Sequence, residues 1–174
     1  MKTKKLIRYR LAVSRVFPTI HERVGEPTFF VEKLERTLEL KYSKLHLELE
    51  LTKIHTIRSN YPLWKKRFEK INRGEAVLEL YYWEKPGGCY VEGNKQIVFC
   101  QLSKDDGIGL QKLAFLSYYW INPVLVDEND MCTGLMVNEL AKNDGLLLND
   151  FKEWFKKYDL SKPMAIIHFT NFRY

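Results

Sequence analysis

The places where this sequence alternates with period two constrain its fold more than any other feature. A strand keeps residues i and i+2 on one face, whereas a helix gathers i, i+3 and i+4. Period two appears near the beginning, in the middle and at the end of the chain, and helical spacing appears between. Leu6 to Ser14 sets Ile7, Tyr9, Leu11 and Val13 on one face and opens the other with Arg8 and Arg10. Leu45, Leu47, Leu49 and Leu51 alternate strictly with His46, Glu48, Glu50 and Thr52. "AVLELYYW" and "KQIVFCQL" flank the turn sequence "EKPGGCY" and predict a hairpin. "LQKLAFLSYYWINPVLV" predicts one or two more strands, and "MAIIHFTNFRY" a closing one.

Helices fall between these strands. "TFFVEKLERTLEL" places Phe30, Leu34 and Leu38 on one face, with Pro27 suited to its first turn. "YPLWKKRFEKINR" has Asn60 as cap, Pro62 in the first turn and Gly74 as stop. Its stripe is Leu63, Arg67 and Ile71, with Trp64 and Phe68. "TGLMVNELAKNDG" runs from a Thr133 cap to Gly145, and "LNDFKEWFKKYDL" starts at an Asn149 cap. Strands at both ends and in the middle, with helices inserted, predict an α+β fold whose sheet closes or nearly closes.

The 174 residues are 45% hydrophobic, enough for one packed domain spanning residues 1–174. No apolar run approaches the ~18 residues that span a bilayer, so no membrane partner is expected. Arg8, Arg10 and Arg15 interrupt any signal-peptide core. Cys89, Cys100 and Cys132 are odd in number and lack C-x-x-C spacing, which predicts a reduced, cytoplasmic chain. The net charge of +6 favours partners carrying phosphate or carboxylate groups. The basic clusters at 65–73 and 152–157 have acids among them, as solvated helix faces do.

The histidines, His21, His46, His55 and His168, show no helical metal-site spacing. Phosphate-loop, dinucleotide-binding and nucleophile-elbow motifs are also absent from the sequence. No metal and no cofactor are therefore expected.

The segment "KIHTIRSNY", residues 53–61, concentrates polar chemistry. In an extended chain Thr56 and Arg58 share a face and Lys53 lies opposite. A common site for all three requires the chain to break near Ile54 or His55. Without that break the segment reads as a polar strand end before a capped helix. Arg15 and His21 flank "FPTIHE" in an irregular loop, where either function or simple ordering by Phe17 and Pro18 fits. His55 suits base stacking, proton transfer or a buried hydrogen bond. Tyr61, Trp64, Tyr82, Trp83 and Trp120 are stacking platforms or packing residues.

"KIHTIR" resembles the K-x-x-T-x-R signature of the ASCH superfamily of PUA-like domains. "NDGLLLNDFKEWF" is similar to that family's acidic segment with its following helix, and "PMAIIHFTNF" to its final barrel strand. The three stretches occur in the family's order. The chain as a whole also resembles a group of proteins from Bacteroides-type bacteria and their mobile elements. The resemblance implies an ASCH-type open β-barrel with decorating helices. Against the minimal amidohydrolases of that family the chain is longer, with an inserted hairpin and loops around residues 84–130. The resemblance further implies binding of RNA or a nucleoside at a basic cleft around Lys53, Thr56 and Arg58, with His55, Arg15, His21 and Tyr61 as further ligand-binding candidates. In the acetylcytidine amidohydrolases of that family a threonine is the nucleophile, a lysine its activator and a carboxylate the proton carrier. Carried over, those roles fall on Thr56, Lys53 and Asp144. The family's usual acid is glutamate, and Asp144 is one methylene shorter. The family's G-x-K lead-in is replaced by "ELELTK". The alternatives are therefore a nucleic-acid-binding module, an amidohydrolase on an acylated nucleoside, and a non-catalytic protein-interaction domain.

Overall fold

The computed structural model describes residues 5–39, 52–115, 124–127 and 137–174. Among them are seven strands and four α-helices. In chain order these are β1 (Ile7–Ala12), α1 (Phe30–Thr37), β2 (His55–Arg58), α2 (Tyr61–Asn72), β3 (Ala76–Trp83), β4 (Gln96–Leu102), β5 (Gly109–Phe115), β6 (Val124–Val126), α3 (Val137–Asn143), α4 (Leu148–Phe155) and β7 (Met164–His168). The α+β class expected from the sequence is the class observed. The strands form two sheets, ordered β1-β3-β4 and β2-β7-β5-β6, and no closed barrel is seen among the described residues. The Leu45–Leu51 strand, Trp120, Cys132 and the Thr133 cap lie outside the described residues.

In the first sheet β1 runs parallel to β3, and β3 pairs antiparallel with β4 across the expected hairpin. The register steps from Leu80↔Cys100 to Tyr81↔Val98, which leaves Phe99 as an extra residue in a bulge. Leu11 on β1 is buried, as its face predicts. Arg8 and Arg10 on the other face both reach the buried carboxylate of Glu79, at 3.2 and 3.1 Å. That pairing spends two N-terminal cations on the fold itself.

All pairings in the second sheet are antiparallel. Every residue of β7 is buried, so its Ala165-Ile166-Ile167 run has both faces covered. β5 lies between β7 and β6, so part of the 84–130 stretch is sheet framework. α2 packs against β3, β5 and β7 and so ties the two sheets together. It buries Trp64, Phe68 and Ile71, while Leu63 is exposed and Arg67 stacks 4.6 Å from the Trp64 ring centre.

Two helix starts differ from the sequence reading. α1 begins at Phe30, and Pro27 instead pairs with Val16 in a bridge that closes the 17–26 loop. α4 begins at Leu148 with Leu147 as its uncapped boundary, which makes Asn149 the second helical residue. Neither boundary residue, Phe29 or Leu147, makes a side-chain capping bond.

The Asn60 cap is as expected. Its side chain accepts from the Leu63 amide at 3.2 Å, and its backbone is left-handed at φ 63°. Asn60→Ala loses the bond and puts a poorly suited residue in that conformation, so it is expected to cost about 1–2 kcal/mol. Asn60→Gly is expected to cost only a few tenths of a kcal/mol. Urea unfolding measures both, and equal losses would argue against the capping account.

Candidate functional site

The chain does break ahead of β2. Residues 52–54 are not strand, and the break is pinned from both sides. The Ile54 amide donates to the Asn143 carbonyl at the end of α3, and the Ile54 carbonyl accepts from the Phe169 amide just after β7, both at 2.9 Å. α3 then stops at Gly145, whose φ of +77° suits glycine. A β-carbon there would sit 3.2 Å from Lys53 Cβ and 3.3 Å from the Thr52 carbonyl oxygen. The missing side chain lets the helix end close directly onto residues 52–53, and this brings Asp144 to Lys53.

Lys53 and Asp144 form a buried ion pair. The ammonium donates to the carboxylate at 2.5 Å and to the Asp144 carbonyl at 2.7 Å, and it lies 4.0 Å from the centre of the Phe30 ring. Lys53 is 2% exposed, Thr56 3% and Asp144 4%. Burial lowers the lysine to about 8, against the opposing pull of Asp144. Burial raises the Asp144 carboxyl above its ordinary value, with Lys53 opposing it. The Thr56 hydroxyl faces the same cavity and is the smallest of the influences that draw the Asp144 carboxyl back down. The Thr56 oxygen in turn accepts from Arg58 Nη1 at 3.1 Å. Arg58 also donates to the Ile57 carbonyl at 3.0 Å and to the Ala12 carbonyl on β1 at 2.6 Å. Burial lowers the Arg58 value. Two bonded pairs, Arg58–Thr56 and Lys53–Asp144, therefore sit side by side.

These four residues are the polar floor of one cavity of about 320 Å³. Its walls include Phe30 on α1, Trp83 at the end of β3, Trp154 on α4 and Tyr158 beyond it. Ala12, Val13 and Ser14 supply the rim at the end of β1. The site thus lies where the two sheets meet.

The other sequence candidates lie elsewhere. His55 points behind the floor: it is fully buried and its Nε2 bonds the Tyr174 hydroxyl at 2.8 Å. Its Nδ1 is 3.9 Å from the Asp144 carboxylate, so it backs the ion pair from outside the cavity. His21 is a structural residue of the 17–26 loop. Its Nδ1 accepts from the Arg23 amide and its Nε2 contacts the Asp150 carbonyl, both at 3.1 Å, and its ring packs on Phe17. Arg15 is exposed, lies 5.0 Å over the Tyr82 ring and lines a different cavity. Tyr61 opens α2 and packs against the core. Trp64 is core and Tyr82 packs on Phe99. Among the platform candidates, Trp83 lines the floored cavity.

Sequence reasoning missed Phe30, Trp154 and Tyr158. Phe30 and Trp154 have the spacing of helix core positions, and nothing local separates a wall residue from a packing residue. Among the described residues, no cluster of three or more histidine, cysteine or acidic side chains is arranged to hold a metal ion.

Behind the floor, His55 and His168 face each other across the β2–β7 pair, with ring centres 5.6 Å apart. Neither ring nitrogen of His168 has a hydrogen-bond partner. Burial pushes His168 down to about 3 and His55 well below its ordinary value. Both histidines are therefore neutral in the fold, while the unfolded chain binds protons near pH 6.5. Between those values the unfolded state holds more protons, so stability falls as pH drops from 6.5 toward 3. Thermal melts across this window are expected to show that decline, with a shallower slope for His168→Phe; an unchanged slope would remove His168 from the account.

The ion pair has its own expected outcome. Lys53→Met strands the Asp144 charge and is expected to cost about 3–5 kcal/mol. Lys53→Met/Asp144→Leu is expected to recover much of that loss in chemical denaturation. A double variant as unstable as the single would show that packing, not the stranded charge, carries the cost. Compared with protein-family models, curated proteins and solved structures, the chain matches none.

Proposed function

We propose that the cavity takes a nucleobase, as part of a nucleoside or an RNA strand, and that the chain is a binding module of the ASCH type. The observation that carries this reading is the contrast between floor and walls. Aromatic side chains (Phe30, Trp83, Trp154 and Tyr158) surround a floor of two cations, a hydroxyl and a carboxylate. A flat heteroaromatic ring stacks on such walls, and its edge carries the carbonyl acceptors and amino donors that such a floor pairs with. The volume lies at the lower end of the roughly 300–1,000 Å³ common for small-ligand sites. The K-x-x-T-x-R, "NDG" and "MAIIHFT" stretches support the same reading, in which the two sheets are the sides of an open PUA-like barrel.

A second reading is favoured by one observation, a threonine hydroxyl, Thr56, in the same cavity lining as a carboxylate, Asp144, that burial makes more basic. In an amidohydrolase, the Thr56 oxygen attacks the acyl carbon of an N-acylated base while Asp144 takes the hydroxyl proton. Arg58 and Lys53 stabilise the oxyanion. Collapse breaks the C–N bond, Asp144 returns the proton to the leaving amine, and water hydrolyses the acyl-threonine ester. Here Asp144 is the base and Lys53 holds it in place.

Calorimetric titration with the four ribonucleosides and a short single-stranded RNA tests the binding reading. Trp83→Ala is expected to weaken binding by ~1–3 kcal/mol, the value of one stacked base. Absence of heat with every one of these ligands defeats the reading. Chromatography of N-acetylated cytidine incubated with the protein tests the second reading. Release of cytidine by the wild type and not by Thr56→Val supports hydrolysis, and no release rejects it.

A further inference from the structure

A second cavity, of about 400 Å³, adjoins the first. Both are lined by Val13, Ser14 and Trp83, so the second begins where the first ends. Its remaining walls come from the 15–27 loop (Arg15, Val16, Gly25 and Pro27) and from the β3–β4 connection, Glu84 to Gly88. Its chemistry differs from that of the first. Apart from the shared Trp83 its lining has no aromatic side chain, and its charged groups are Arg15, Lys85 and Glu84.

The β3–β4 connection is a built wall. The Asn94 side chain accepts from the Lys85 amide at 2.8 Å and donates to the carbonyls of Lys85 at 2.8 Å and Gly88 at 3.0 Å. Those three bonds hold the turn closed. Gly88 brings its backbone against the Trp83 indole: a β-carbon there would lie 3.5 Å from Nε1. The connection therefore braces the residue that divides the two cavities.

Among the described residues, neither the Arg15 guanidinium nor the Lys85 ammonium has a carboxylate partner. This sets them apart from Arg8, Arg10 and Arg23, which are all paired with acids. Two unpaired cations against one carboxylate leave the second cavity positive. A guanidinium and an ammonium in such a place suit phosphate oxygens.

Resting on the nucleobase reading of the first cavity, we propose that the second cavity is a phosphate subsite. The ligand is then a phosphate-bearing nucleotide, not a free nucleoside. Its base lies on the Lys53–Thr56–Arg58–Asp144 floor, Trp83 stands between base and phosphate, and Arg15 and Lys85 hold the phosphate. Arg15, which lies outside the first cavity, acquires a role here.

The test compares ligands within each protein. The four ribonucleosides, their 3′- and 5′-monophosphates and the matching dinucleotides are titrated calorimetrically into wild type and Arg15→Gln/Lys85→Gln, at low and at moderate salt. For wild type, a phosphate is expected to tighten binding on the order of tenfold over the parent nucleoside. The gain is expected to shrink as salt rises. In the double variant the nucleotide-to-nucleoside ratio is expected to fall to about one, with an unchanged melting temperature showing that the fold is intact. A dinucleotide bound more tightly than either monophosphate identifies an RNA strand as the source of the phosphate; equal affinity identifies a free nucleotide. Nucleosides that bind with no phosphate gain, or a gain that survives in the double variant, overturn the subsite and leave the nucleobase reading standing. No binding by any of these ligands overturns both.

Discussion

The buried contact between Lys53 and Asp144 organises much of what surrounds it. A lone ammonium or carboxylate at that depth is strongly disfavoured, so each charge requires the other. Their meeting requires α3 to end where it does, Gly145 to admit the chain at residues 52–53, and the strand to break before His55. Thr56 and Arg58, bonded to each other, line the same cavity as the pair. Arg58 reaches the Ala12 carbonyl on the other sheet. One polar cluster thus gathers a helix end, a strand break and both sheets.

Such an arrangement is a costly way to stabilise a fold. Well-packed apolar groups of similar volume often serve a core as well as a buried ion pair or better. Here the pair forms part of an open cavity floor and is ringed by aromatic side chains. The pattern fits a site whose polar groups are pre-positioned by the scaffold so that a ligand does not have to order them. The histidine pair behind the floor extends the same polar layer toward the C-terminus. His55 contacts both Asp144 and Tyr174, and Asn143 donates to the same Tyr174 hydroxyl.

The basic character of the chain also acquires a distribution. Arg8 and Arg10 neutralise Glu79, Arg23 is shared by Glu26 and Asp150, and Lys33 bonds the carbonyls of Thr28 and Gly145. Those cations hold the fold together. Arg15 and Lys85 stand apart from them beside the cleft, which is a sharper statement than a net charge of +6.

The sequence by itself determined the α+β class, the β3–β4 hairpin, the Asn60 cap and the closing strand, because each rests on local spacing and turn chemistry. It also brought Lys53, Thr56, Arg58 and Asp144 forward as one group, through a short signature and its order relative to "NDG" and "MAIIHFT". It placed the strand break as a condition of that group without being able to supply it. Only the tertiary structure decided the rest. The break exists because Asn143 and Phe169, about 90 and 115 residues further along the chain, take the amide and the carbonyl of Ile54. His21 and His55 turn inward because the Asp150 carbonyl and the Tyr174 hydroxyl are there to meet them. Phe30 and Trp154 become cavity walls because two helices distant in sequence converge above β2, and a helix-face aromatic carries no local mark of whether it will meet a core or a cleft.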